Sequence, residues 1–184
     1  MEITDQHIEQ FIAAAHKVGD RNLTRCSSGN LSWRIGDLAL VSATGSWVPE
    51  LRAGQVSICK IATGEWINGV KPSMESTFHL TIMRNRPDVN VVLHCQSIYA
   101  TTVACMKNKP TNFNLTAELP CHCGSDIAII PTIVRALRNW HKLWLKQCKT
   151  MTPYYWKSMV RYLSEKISMM PSRRQNFLKW PVKL

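Results

Sequence analysis

The sequence reads as an α/β fold over about residues 1–131, followed by a tail of different character over residues 132–184. Three observations are consistent with that class. An amphipathic helical segment opens the chain, and short β-branched runs separated by glycine turns follow it. Between Lys71 and Tyr99 a helical pattern then gives way to an apolar strand that ends on polar residues.

In order, Thr4 is placed to cap a helix from Asp5 to about Val18, with Ile8, Phe11, Ile12 and Ala15 on one face. Residues 25–33, RCSSGNLSW, put Ser27, Ser28, Gly29 and Asn30 in a polar turn before a strand over Leu31–Ile35. Such a turn serves simply as a strand entry, although its amides and hydroxyls are also able to bind an anion. Gly36-Asp37 reads as a hairpin turn into Leu38–Ala43, and Thr44-Gly45-Ser46 as a second polar turn. Val56–Ile61 is a third strand, which Thr63-Gly64-Glu65 turns into Trp66-Ile67-Asn68.

Pro72 suits a first helical turn, and Met74, Phe78 and Ile82 recur as a buried stripe. Glu75 falls where the helix dipole favours an anion, and Pro87 ends the helix behind Arg84 and Arg86. Val89, Val91, Val92 and Leu93 then form an interior strand that delivers His94, Cys95 and Gln96 at its end, where Ser97 caps a helix through Met106. Alone, Glu75 reads as a dipole-favoured surface acid and His94 as a hydrogen-bonded strand-end histidine. Residues 112–120 are loop-like, and Asp126–Ile130 is a further short strand.

The chain is long enough for one domain with a sizeable core. It has no apolar run of membrane-spanning length and no basic-then-apolar start, so the expected location is the cytoplasm. Seven scattered cysteines favour reduced thiols over a disulfide framework. Cys121-His122-Cys123 resembles a metal motif. In an extended segment its cysteines still need two ligands from elsewhere, and no second cluster supplies them, so no structural zinc is expected there.

The net charge of +11 is unevenly spread. Residues 1–131 hold eleven basic and eleven acidic side chains, whereas residues 132–184 hold twelve Lys or Arg against the single acid Glu165. That tail also lacks glycine and carries four of the seven tryptophans. A basic, aromatic helix would suit nucleic acid, which is the less favoured of two readings. The other is translation out of frame. With suitable wobble bases, codons read from the third base of each tail codon give an acid-balanced, glycine-containing text that includes GSPELA and KHGQVSVG. Residues 132–184 are therefore expected to be poorly packed.

The strings PSMESxxH and RPDVNVVLHCQSxYAT resemble the class II aldolase/adducin family, typified by L-fuculose-phosphate aldolase, in the order and spacing of PSSE and RPDxNAVVHxHSxYAT. SSGNLS with VSATG likewise resembles the family's TxGNxS and TPTG, and the hidden tail text resembles its C-terminal half. The resemblance implies an α/β/α fold with a mainly antiparallel central sheet and an incomplete C-terminal part. It implies a sugar-phosphate cradle of Ser27, Asn30, Thr44, Gly45 and Ser73, with Glu75 as the catalytic proton carrier. It also implies zinc, which the family holds with three histidines, and a homotetramer. Here the family's second serine is Met74. Of the three histidines only His94 remains, since Gln96 is a weak neutral replacement and the histidine of KHG is split between the codons of Ser158 and Met159. The expected activity is therefore metal-dependent retro-aldol cleavage of a ketose 1-phosphate to dihydroxyacetone phosphate and an aldehyde, impaired in this chain. The alternative is a non-catalytic sugar-phosphate or protein-binding module of the same fold.

Overall fold

The computed structural model of the chain describes residues 2–115 apart from Ser97, together with strand residues 129–130 and 160–161. It begins with α1 (Asp5–Asp20), where Thr4 is extended and accepts from the His7 amide while the His7 ring accepts from the Thr4 amide at 3.1 Å. Two helix-start donors are thus satisfied reciprocally. Thr4→Ala should cost about 1 kcal/mol in urea unfolding. A loss below about 0.3 kcal/mol would show that packing alone fixes this helix.

Three antiparallel strands follow, β1 (Asn30–Ile35), β2 (Leu38–Ser42) and β3 (Val56–Lys60). Gly36 turns β1 into β2 with a φ of 59°, a left-handed conformation that glycine adopts without strain. After β3 come α2 (Ser76–Asn85), β4 (Val91–His94) and α3 (Ile98–Cys105). The sheet order is β3-β2-β1-β4, with every neighbouring pair antiparallel. In a separate two-stranded sheet, β5 (Ile129–Ile130) and β6 (Val160–Arg161) pair in parallel.

Side-chain alternation gives the sheet two apolar faces. On one, Leu31, Ile35, Leu40 and Val56 pack with Phe11 and Ala15 of α1 and with Val48 and Leu51 of the β2–β3 connection. On the other, Ala39, Val41, Cys59 and Val92 pack with Phe78, Leu80, Ile82 and Met83 of α2. Helices therefore cover both faces of the described sheet, the α/β/α arrangement that the family resemblance implies.

The segment leading into α2 departs from expectation. Pro72 is not in a first helical turn but in an antiparallel bridge with Ala43. The Ser73 amide donates to Ser42 O at 2.9 Å and the Thr44 amide to Lys71 O at 3.1 Å, so residues 71–73 extend the sheet edge before the helix can start. Met74 consequently lies in the turn and is 60% exposed, outside the stripe assigned to it. All six residues from Phe78 to Met83 are buried, because the helix is enclosed on more than one side. The Ser97 cap, Cys121-His122-Cys123 and the tail over residues 132–184, apart from Val160–Arg161, lie outside the described residues.

Candidate active site

Strand pairing sets Asn30, the first residue of β1, opposite His94, the last of β4. Gly29 lies behind this pair, in a space without room for a side chain. A Cβ there would stand 2.3 Å from Thr24 Cγ2 and 2.8 Å from the His94 carbonyl oxygen. The glycine of this turn thus permits the close approach of two backbones.

Glu75 precedes the first turn of α2 and makes no side-chain cap to it. Its carboxylate instead turns to the sheet, where Oε2 accepts from Asn30 Nδ2 at 3.0 Å and contacts His94 Nδ1. Asn30 Nδ2 also lies 3.3 Å from His94 Nδ1. With the Nδ1 proton directed at the carboxylate, the remaining ring nitrogen carries a lone pair. That Nε2 atom is buried and has no hydrogen-bond partner among the described residues. The arrangement sets a carboxylate able to take a proton beside an imidazole nitrogen free to accept one or to bind a cation.

The other loops gather at the same end of the sheet. Ser73 is buried, and its Oγ accepts from the Glu75 amide at 3.2 Å. Thr44 and Gly45 lie exposed beside it, tied through the Ala43–Pro72 bridge, and Gly45 has a φ of 72° with open space around its Cα. The Ser42 hydroxyl accepts from the Leu31 amide at 3.1 Å, fixing this end of β2 to the start of β1. Ser27 and Gln96 are both exposed, and neither makes a hydrogen bond into the cluster among the described residues. The structure thus joins Asn30, Ser73, Glu75 and His94, with Thr44 and Gly45 alongside.

His79 has no role in the sequence-based assignment, although it stands in the same motif. It lies on α2 one turn beyond Glu75, is fully buried, and has Nδ1 2.7 Å from Ser32 Oγ. Its Nε2, like Thr24 Oγ1 and Asn30 Oδ1, is buried and unpartnered among the described residues. Burial, reinforced by His94, lowers its pKa from 6.5 to about 3, while Glu75 acts in the opposite direction. The unfolded chain therefore binds this proton at higher pH than the folded chain, and stability falls as the pH drops from 6.5 towards 3. One such proton contributes a slope of at most about 1.4 kcal/mol per pH unit. Urea unfolding across this window should show the slope, and His79→Gln should remove that share; an unchanged slope would assign it to another group.

The described residues do not form a complete metal centre. His94 Nε2 has the chemistry of a ligand held by a carboxylate behind it, but Gln96 adds only an exposed neutral amide. No group of three or more His, Cys, Asp or Glu side chains lies together among the described residues. A catalytic zinc site takes three protein ligands, so this donor set falls short of one.

Residues 9–142 match the family model described as Class II Aldolase and Adducin N-terminal domain. Over 86 residues, 46% of this chain and 39% of the relative, the sequence is 42% identical to 3-oxo-tetronate 4-phosphate decarboxylase of Pectobacterium atrosepticum. Over 127 residues, 64% of this chain and 69% of the relative, it is 34% identical to L-fuculose phosphate aldolase of Methanococcus vannielii. The chain spans 39%, 52% and 69% of the length of three curated relatives it matches. In fold it is similar to YgbL from Klebsiella pneumoniae, with a TM-score of 0.73 at 23% identity over 88% of this chain and 77% of that one. The antiparallel sheet, the helices on its two faces and the extent of the sequence match agree: this chain belongs to the class II aldolase and adducin N-terminal domain family.

Proposed function

We propose that this chain carries the substrate-binding and proton-transfer part of a class II aldolase-type lyase acting on a phosphorylated sugar, and that its own cleavage activity is impaired. The observation that carries this reading is the Glu75 carboxylate held by Asn30 against His94 beside the Ser73 and Thr44-Gly45 loops. A carboxylate so placed takes the proton released when a carbon–carbon bond next to a carbonyl breaks. The polar turns offer hydroxyl and amide donors for a phosphate. Ser27 and Gln96 keep their sequence-based roles within this proposal, as cradle hydroxyl and weak metal ligand.

Impairment follows from the donor set. Aldol cleavage leaves negative charge on an enediolate, which the family stabilises with zinc, and two neutral ligands bind zinc far less well than three imidazoles. The composition break at residues 131–132 supports the reading of the tail as out of frame, and the four described free cysteines suit a reducing cytoplasm. The decarboxylase similarity favours a second substrate class, a 3-oxo acid phosphate, whose carbon dioxide loss leaves the same kind of enolate.

Calorimetry with dihydroxyacetone phosphate and a zinc-supplemented cleavage assay with ketose 1-phosphates test the reading together. Saturable binding without measurable turnover is the expected result, and Glu75→Gln should leave binding within about threefold because it preserves shape. Absence of binding would refute the sugar-phosphate assignment. Turnover abolished by Glu75→Gln would uphold the reaction class and refute the impairment.

A further inference from the structure

Asn30 and Ser32 are two residues apart on β1 and therefore face the same side of the sheet. Opposite them, Glu75 and His79 are separated by one turn at the start of α2. Two polar contacts consequently stand one above the other, Asn30 with Glu75 at 3.0 Å and Ser32 with His79 at 2.7 Å. Below them the interface between sheet and helix is apolar, with Val41, Val92, Phe78 and Ile82 buried together. Helical side chains lean towards the N-terminal turn, which directs the His79 ring towards Glu75.

A buried imidazole next to an apolar core gains little over leucine unless its polarity is used, since a polar atom left unpaired there loses its hydrogen bonds to water without replacement. Its Nδ1 has one partner, Ser32, which is itself fully buried, and its Nε2 has none among the described residues. We propose that His79 is a positioning residue for the candidate active site: locked on Ser32, it fixes the first turn of α2 against β1 and so holds Glu75 opposite Asn30 and His94. It does this as an uncharged ring, because its complete burial penalises the charged form.

The proposal rests on the sugar-phosphate reading for its first test only. Dihydroxyacetone phosphate is titrated into the full chain and into Ser32→Ala, His79→Leu and His79→Asn, with folding of each checked by circular dichroism. Asparagine places an amide near the position of Nδ1 and keeps a bond to Ser32 available. Ser32→Ala and His79→Leu are expected to weaken binding by about tenfold, and His79→Asn to restore it to within about threefold. Folded Ser32→Ala and His79→Leu variants that bind like the parent would overturn the proposal. Failure of the parent itself to bind would instead strike the sugar-phosphate reading.

The second test needs no ligand. In imidazole ¹⁵N spectra of the unliganded chain, His79 is expected to hold one uncharged tautomer from about pH 5 to 8, and Ser32→Ala to convert it to a mixture. A tautomer mixture already present in the parent chain, or a signal unmoved by Ser32→Ala, would overturn the proposal whether or not the ketose phosphate binds.

Discussion

Restoring one nucleotide near codon 132 is expected to turn a chain without measurable aldol cleavage into one that cleaves a ketose 1-phosphate when zinc is supplied. On the proposed out-of-frame reading, suitable wobble bases in residues 132–184 would regenerate a glycine-punctuated, acid-balanced sequence and a histidine spanning the codons of Ser158 and Met159. That histidine adds an imidazole where the described residues offer only His94 and the exposed Gln96. The gain should be about a hundredfold to a thousandfold, since loss of one preorganised stabilising group commonly costs about 10²–10³ in rate. Glu75→Gln in the repaired chain should then cost about 10²–10⁴, the usual share of a positioned proton carrier. Equal activity before and after repair would refute the out-of-frame reading. A repaired chain that folds and binds zinc but cleaves nothing would mark Gln96 and Met74 as features of a branch with another reaction.

Where local chemistry decides conformation, the sequence was sufficient. Thr4 caps α1 because its hydroxyl and the His7 ring are three residues apart, and Gly36 and Gly64 turn strands with φ of 59° and 83° that few other residues adopt. The position of His94 at a strand end also follows from the short apolar run before it. Pro72 departs from the helical position its local pattern suggests because its conformation depends on Ala43, in a bridge that no local pattern announces. Without knowledge of that bridge, local spacing starts the stripe one turn early, at Met74, whereas the helix begins at Ser76. His79 stayed invisible as a site residue because its partner, Ser32, is 47 residues away. The one available signal was its i+4 spacing from Glu75, which places both on one helix face. Ser27 and Gln96 could be placed by motif alone, but motif spacing does not say which way an exposed loop side chain turns.

Gly29→Ala should be among the most damaging single substitutions to the cluster. The added methyl would stand 2.3 Å from Thr24 Cγ2 and 2.8 Å from the His94 carbonyl oxygen, and neither neighbour is the free end of a flexible chain. Thr24 is 2% exposed, and the His94 carbonyl belongs to the paired end of β4. The chain has to relieve the contact by separating β1 from β4, and that separation moves Asn30 away from His94 and Glu75. Overpacking of this kind costs about 1–3 kcal/mol in stability. The loss of dihydroxyacetone phosphate binding should be larger, more than about tenfold, because the polar cluster depends on distances near 3 Å. Thr24→Ser removes the methyl responsible for the 2.3 Å contact but leaves the carbonyl in place. Combined with Gly29→Ala it should therefore recover part of the stability and little of the binding. Full recovery of both by the double variant would show that the side-chain clash alone mattered. A Gly29→Ala chain as stable and as competent in binding as the parent would show that the approach of β1 to His94 does not organise this site.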